Sequence, residues 1–196
     1  MIALRVAGIE LTLSSEFDGP LGGLPETYAV AVIPSAAKPR LVIDLVRAPD
    51  RNGVATAPDH PRFHAHRDGD VLVVERPDCL GRIDVSASPV RARFEISDDP
   101  YALEACVRVA LSVALPRHGA LILHSSAIQW DDRAHVFAGV SGAGKSTIAS
   151  LLSSSFDGCD RLADELTVLA RTSEGWRLHV PPFLGISDLP RGKVTP

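Results

Sequence analysis

The sequence predicts an α/β protein in two parts, a β-rich module over residues 1–96 and a core over residues 97–196. Three observations support this class. Short stretches of alternating apolar and polar residues, separated by Pro, Gly and Asp, fill the first part and are typical of strands joined by turns. An apolar stripe at helical spacing runs through residues 103–114, and a glycine-rich segment at 139–146 lies between an apolar strand and a second helix.

The composition excludes several classes of protein. Apolar residues make up 45% and charged residues 22% of the 196 residues, so disorder along the whole chain is excluded. The net charge of −4 argues against a nucleic-acid partner bound through phosphates. No apolar run approaches the roughly 20 residues of a membrane span, and the N-terminus has the pattern of a strand rather than a signal peptide. Three widely spaced cysteines, Cys79, Cys106 and Cys159, fit buried thiols in a reducing cytoplasm.

Alternation predicts the elements of the first part in order. Mainly antiparallel strands are expected over residues 2–13, 28–33, 41–46, 71–74 and 90–96. The polar, proline-rich segment Ala48–Asp70 is expected to be a long loop. His60, His64 and His66 in that segment lie close enough in sequence to hold a metal, but no cysteine completes a ligand set, and a solvated loop is the better interpretation.

The second part begins with a helix. Ser97-Asp98-Asp99-Pro100 is typical of a helix start, because Asp accepts free N–H groups and Pro suits the first helical position, while Pro116 and Gly119 end the helix. A strand over 120–128, the polar turn Trp130–Arg133 and a strand over 134–138 follow. A helix over about 145–154 and strands over 162–169 and 176–180 complete the prediction.

The segment Gly139-Val140-Ser141-Gly142-Ala143-Gly144-Lys145-Ser146 matches the phosphate-binding loop G-x-x-x-x-G-K-[ST] without a gap. Glycines let backbone N–H groups approach an anion, and the following helix start adds free donors and the positive end of its dipole. Lys145 supplies a cation for the β and γ phosphates, and the Ser146 hydroxyl is a ligand for Mg²⁺. The sequence therefore predicts ATP and Mg²⁺ as cofactors. The expected nucleotide-binding residues are Gly139, Ser141, Gly142, Ala143, Gly144, Lys145, Ser146 and Thr147.

The flanking residues narrow the function. His124 lies fifteen positions before Gly139, and the pair Asp164-Glu165 lies on the strand after the loop helix. Together with the loop, these residues resemble the catalytic domain of HPr kinase/phosphorylase and its bacterial relatives over roughly residues 100–170. That family pairs a histidine before the loop with an acidic doublet after it. It uses a sheet akin to that of phosphoenolpyruvate carboxykinase and phosphorylates a serine of a partner protein.

The resemblance implies a role for each residue. Asp164 would accept the proton of the acceptor hydroxyl, and Lys145 and His124 would lie beside the transferred phosphate. Glu165 stands where the family usually has a second Asp and would, with Ser146, contact Mg²⁺. The implied protein is a cytoplasmic P-loop kinase that transfers the γ-phosphate of Mg-ATP to a serine of a peptide or small protein.

The chain also departs from the family. The Arg-containing second signature, linked to phosphorolysis and subunit contacts, is missing, so phosphorolysis is not expected and a homo-oligomer is left open. The β-rich part is more similar to kinase relatives found beside peptide-modification genes, including those acting on lasso-peptide precursors. The chain ends at Pro196, soon after Pro181-Pro182-Phe183, where related kinases continue, so a compact and a truncated version of the family are both expectations.

Three alternatives remain open. The first is a small-molecule kinase or carboxykinase-like enzyme that uses the same loop. The second is an ABC-type ATPase subunit, although the chain has no L-S-G-G-Q-like segment. The third is a regulator that binds a nucleotide without turning it over.

Overall fold

A computed structural model describes residues 1–17, 21, 26–48, 64–97 and 100–183. The chain divides into two compact units, residues 1–118 and residues 119 onward. The sequence places the boundary at 96/97 instead. The difference arises because the helix that follows residue 97 packs against strands of the first unit.

The first unit is built on one eight-stranded sheet. Its strands are β1 (Ile2–Val6), β2 (Ile9–Ser15), β3 (Val32–Ile33), β4 (Leu41–Arg47), β5 (His64–Asp68), β6 (Val71–Arg76), β7 (Cys79–Asp84) and β8 (Val90–Ile96). Their order across the sheet is β3-β1-β2-β4-β8-β7-β6-β5. Strand β4 pairs in parallel with both β2 and β8, while the other neighbours are antiparallel. The sheet is therefore mixed, and the expectation of a mainly antiparallel module missed these two central pairings.

Four elements of the first unit differ from the prediction. The predicted strand 2–13 is two strands, β1 and β2, joined by a turn. The predicted strand 28–33 is a 3-10 helix, Glu26–Ala31, followed by the two-residue strand β3. Strand β5 lies inside the predicted loop 48–70. The strand was not predicted because all five of its side chains are exposed, so no alternation of apolar and polar residues marks it. Its His64 and His66 belong to no metal-binding cluster among the residues that the structure describes, and His60 lies outside them, as does the expected Asp98-Asp99 helix cap.

Strand β7 was also missed, since it contains glycine. Gly81 lies on β7 against the fully buried Phe94, and a Cβ at this position would come 2.3 Å from the Phe94 ring. The glycine is therefore required by close packing, a property that strand propensity does not report.

Helix α1 (Pro100–Ala114) covers the sheet of the first unit and continues into a 3-10 turn, Leu115–His118. It packs against β4, β7 and β8. The predicted apolar stripe is confirmed, because all its members are buried: Leu103, Cys106, Val107, Ala110, Leu111 and Ala114. Burying a side chain of this kind contributes on the order of 1.5–3 kcal/mol for the larger members.

The second unit has five strands and one α-helix among its described residues. They are β9 (Ala120–Trp130), β10 (Arg133–Ala138), α2 (Lys145–Ser155), β11 (Asp160–Ala163), β12 (Leu166–Thr172) and β13 (Gly175–His179). A tight turn with positive φ at Asp131 and Asp132 joins β9 to β10. Strand β9 pairs with β10 along one side and with β11 and then β12 along the other, and every pairing is antiparallel.

The predicted α/β class is wrong. The described residues form thirteen strands in two sheets and only two α-helices. Strand β10 precedes α2 in the chain and β11 follows it, and the two strands run in the same direction. They are not paired with each other, because β9 lies between them in the sheet and pairs antiparallel with both. The strand–loop–helix pattern was interpreted correctly as local structure, but it does not belong to the parallel sheet that an α/β core requires.

Helix α2 packs on this sheet through a small apolar cluster. Ile128, Ala149 and Cys159 are buried together, and Trp130, Phe137 and Leu152 pack against them. Neither helix of the described segments has the length and apolar character needed to cross a membrane.

Candidate functional site

The loop Gly139–Gly144 connects β10 to α2 and contains two glycines with a left-handed backbone. Gly142 and Gly144 have φ values of 80° and 81°, in the left-handed region. A Cβ at either position would meet no atom within 4 Å, so the need for glycine is one of torsion rather than space.

The first turn of α2 leaves N–H groups available for an anion. Its cap residue, Gly144, has no side chain to accept a hydrogen bond. The first bond within the helix runs from the Ile148 N–H to the Gly144 carbonyl at 2.9 Å. The N–H groups of Lys145, Ser146 and Thr147 therefore have no partner within the helix, and they lie at the positive end of its dipole.

The side chain of Lys145 folds back over this loop. Its Nζ donates a hydrogen bond to the Val140 carbonyl at 2.9 Å, and the residue is only 8% exposed. No carboxylate within the described segments forms an ion pair with it. The ammonium charge is therefore held inside the loop and remains uncompensated, which favours an anionic ligand.

Asp164 connects the loop to the neighbouring strands. Its Oδ1 accepts hydrogen bonds from the Ser146 hydroxyl at 2.6 Å and from the Ser126 hydroxyl at 2.7 Å. Its Oδ2 accepts one from Arg161 Nη2 at 2.7 Å. Burial acts to raise the pKa of the Asp164 carboxyl, but the hydrogen bonds from Ser146 and Ser126 and the charge of Arg161 outweigh it, so this pKa lies below its ordinary value. The carboxyl is thus ionised at neutral pH.

The backbone between β11 and β12 directs the acidic pair toward the loop. The pairing of β11 with β9 shifts register between Arg161 and Ala163, which is a bulge. Glu165 follows with φ 77°, a left-handed conformation that costs a non-glycine residue about 1–3 kcal/mol. The Glu165 carbonyl accepts a hydrogen bond from the Ser125 N–H at 3.0 Å, which holds the distorted segment against β9.

These residues surround one open cavity of about 310 Å³. Its lining residues are His124, Ser141, Gly142, Gly144, Lys145, Ser146, Thr147, Asp164 and Glu165. All the residues predicted as catalytic or metal-binding are among them. Of the predicted nucleotide-binding residues, only Gly139 and Ala143 are not part of the lining.

The oxygen atoms at the site suit a hydrated magnesium ion. The Ser146 hydroxyl and one Asp164 oxygen are in contact, and the Glu165 side chain lines the same cavity. Mg²⁺ takes oxygen ligands and commonly uses one or two from the protein, the rest coming from water and phosphate. The residues present therefore fit a cation that arrives with a nucleotide.

Two residues of the site, Ser126 and Arg161, were not predicted. Ser126 could have been predicted from its distance to His124 in the sequence. It lies two residues after His124 on the same strand, and side chains two residues apart lie on the same face of a strand. Arg161 had no such signal, since only the bulge in β11 brings its side chain to Asp164.

Comparisons of this chain with protein-family models, curated proteins and solved structures found no match. The similarity to HPr kinase/phosphorylase stays a prediction drawn from motif order.

Proposed function

We propose that this protein is an ATP-dependent kinase that transfers the γ-phosphate of Mg-ATP to a serine hydroxyl of a peptide or small protein. The observation that supports it best is the hydrogen bond between Ser146 of the phosphate loop and Asp164 of the acidic pair. A loop that binds only a phosphate needs no ionised acid on its hydroxyl residue. A loop that binds a nucleotide together with Mg²⁺ for phosphate transfer has its hydroxyl residue beside a carboxylate, because the two act on the same cation.

Each residue has a defined task in this proposal. The loop amides, the α2 N–H groups and Lys145 would bind the phosphates, and Ser146, Asp164 and Glu165 would hold the cation. When bound, Mg²⁺ neutralises charge on the phosphate oxygens. The acceptor oxygen forms a bond to the γ-phosphorus as the bond to the bridging β–γ oxygen breaks, and the Asp164 carboxylate takes the hydroxyl proton. His124, which is exposed at the cavity, would lie beside the transferred phosphate.

The shape of the cavity favours a peptide over a metabolite as acceptor. Seven of its nine lining residues are exposed: His124, Ser141, Gly142, Gly144, Ser146, Thr147 and Glu165. A small-molecule kinase is expected to enclose its substrate with several Arg and Lys side chains near Asp164. Among the residues that the structure describes, the lining contains one lysine and no arginine. The similarity to HPr kinase is proposed for these site residues alone.

We place the reaction in the cytoplasm. The protein would consume ATP there, and Cys79, Cys106 and Cys159 are buried and form no disulfide, which suits a reducing compartment.

The direct test incubates the protein with γ-labelled ATP, Mg²⁺ and serine peptides encoded beside its gene. Label on a peptide serine supports the proposal, and a matched peptide with Ala in place of Ser should stay unlabelled. Label on a small metabolite would instead support the small-molecule kinase. Nucleotide binding without any transfer would support the regulator.

The strained backbone at Glu165 predicts opposite effects on stability and activity. We expect Glu165→Gly to raise the free energy of unfolding by about 1 kcal/mol, because glycine adopts a positive φ without strain. We expect the same change to lower the rate of phosphate transfer, since it removes a carboxylate from the cavity. Denaturant unfolding and a transfer assay measure the two effects.

Two controls separate backbone from side chain. Glu165→Gln keeps the strain and should lower activity without stabilising the fold. Glu174→Gly, at an exposed position whose φ is not positive, should lower stability. A Glu165→Gly protein that is both less stable and fully active would contradict the assignment.

A further inference from the structure

Arg161 is held against the acidic pair from the strand before it. It lies on β11, three residues ahead of Asp164, and the two side chains are 27% and 23% exposed. An ion pair that is partly shielded from water is screened less than a surface pair, and a guanidinium gives it a fixed direction. Arg161 therefore restricts how the Asp164 carboxylate can turn.

The two oxygens of Asp164 have separate tasks as a result. Oδ2 is held by Arg161, so Oδ1 stays directed at Ser146 and at the fully buried Ser126. Ser126 lies on β9, and Arg161 pairs with the same strand at Ile128. Residues of two strands, β9 and β11, thus fix the carboxylate on the sheet side. Its Oδ1 also faces Ser146 of the phosphate loop.

The surroundings of Arg161 argue against a role in stability alone. Its Nε is buried and has no hydrogen-bond acceptor among the residues that the structure describes. A buried donor without a partner costs on the order of 1–3 kcal/mol. The unsatisfied donor therefore offsets part of what the Arg161–Asp164 ion pair contributes to the stability of the fold.

We propose that Arg161 is a positioning residue for phosphate transfer, which rests on the proposed function. Its ion pair holds the Asp164 carboxylate on the Ser146 hydroxyl, so that the carboxylate meets the cation and the acceptor hydroxyl in one orientation. Loss of such an outer contact typically lowers activity or cation affinity by about 10- to 100-fold. Binding of the nucleotide without Mg²⁺ depends on the loop and should not change.

The test compares Arg161→Ala and Arg161→Lys with the matched control Arg177→Ala. Arg177 also pairs with an acid three residues away, at 3.8 Å from Glu174, but on an exposed hairpin. We expect Arg161→Ala to lower kcat about 10- to 100-fold at saturating Mg-ATP, and Arg177→Ala to leave kcat unchanged. Millimolar guanidinium should restore part of the kcat of Arg161→Ala and leave wild type and Arg177→Ala unchanged.

A second readout does not need catalysis. The Mg²⁺-dependent gain in affinity for a fluorescent ATP analogue should fall about 10-fold in Arg161→Ala, with affinity in EDTA retained. If Arg161→Ala fails to fold, the same two measurements on Arg161→Lys decide.

The outcomes separate this inference from the proposed function. Wild type that binds Mg-ATP and transfers no phosphate overturns the kinase, and the Mg²⁺ readout then judges Arg161 by itself. The positioning role is overturned if Arg161→Ala changes neither kcat nor the Mg²⁺-dependent gain in affinity for the ATP analogue. It is also overturned if guanidinium does not restore the lost activity of Arg161→Ala and Arg177→Ala shows the same loss. Wild type that binds no nucleotide overturns both.

Discussion

Asp164→Asn is expected to slow phosphate transfer to a serine peptide by about 10²–10⁴-fold, the range for removal of a positioned proton acceptor. The amide keeps the shape of the carboxyl but cannot take the proton. It also loses the charge that Arg161 and the two hydroxyls now surround. Single-turnover transfer from γ-labelled ATP measures the effect without interference from product release.

A matched control is available four residues before Asp164. Asp160 begins β11 and is exposed, and Asp160→Asn should transfer phosphate at the wild-type rate. Affinity of Asp164→Asn for ATP in EDTA should also stay near wild type, because the loop and Lys145 are intact. A near-normal single-turnover rate in Asp164→Asn would remove Asp164 from the chemistry.

Lys145→Ala should give the second large effect, a loss of ATP affinity of about 10- to 100-fold, corresponding to one charge-assisted hydrogen bond of roughly 1.5–3 kcal/mol. The Lys145 ammonium forms no ion pair among the described residues. No ion pair therefore has to be broken before the ammonium can interact with a phosphate. Titration with a fluorescent ATP analogue measures the affinity.

Two further variants make this result specific. Lys38→Ala, at an exposed lysine of the first unit, should bind ATP as wild type does. Lys145→Arg keeps the charge but is longer and planar, and we expect it to recover only part of the affinity. Wild-type affinity in Lys145→Ala would show that the glycine-rich loop does not bind phosphate.

Local features of this protein could be predicted from sequence, and features that depend on pairing could not. The loop, the first turn of α2 and the buried stripe of α1 follow from residue spacing within one element. Whether β4 pairs in parallel with β2 and β8 depends on contacts between distant segments, and no local pattern reports it. The wrong α/β class has the same origin, because β9 inserts between β10 and β11.

The same division applies to the site. The sequence predicted His124, Lys145, Ser146 and the acidic pair by motif, and all of them line one cavity. It could not show that Asp164 contacts Ser146, because that contact depends on the bulge and on the positive φ of Glu165. Neither distortion has a sequence signal, since glutamate seldom adopts such a backbone.

The central claim is that Ser146 and Asp164 act as one unit that joins the phosphate loop to the acidic pair. A double-mutant cycle with Ser146→Ala, Asp164→Asn and the double variant, measured as kcat/KM for phosphate transfer, tests it most directly. We expect the double variant to be little worse than the poorer single variant, with a coupling energy above about 1 kcal/mol. Effects that add to within about 0.5 kcal/mol would contradict the claim, because independent residues behave that way.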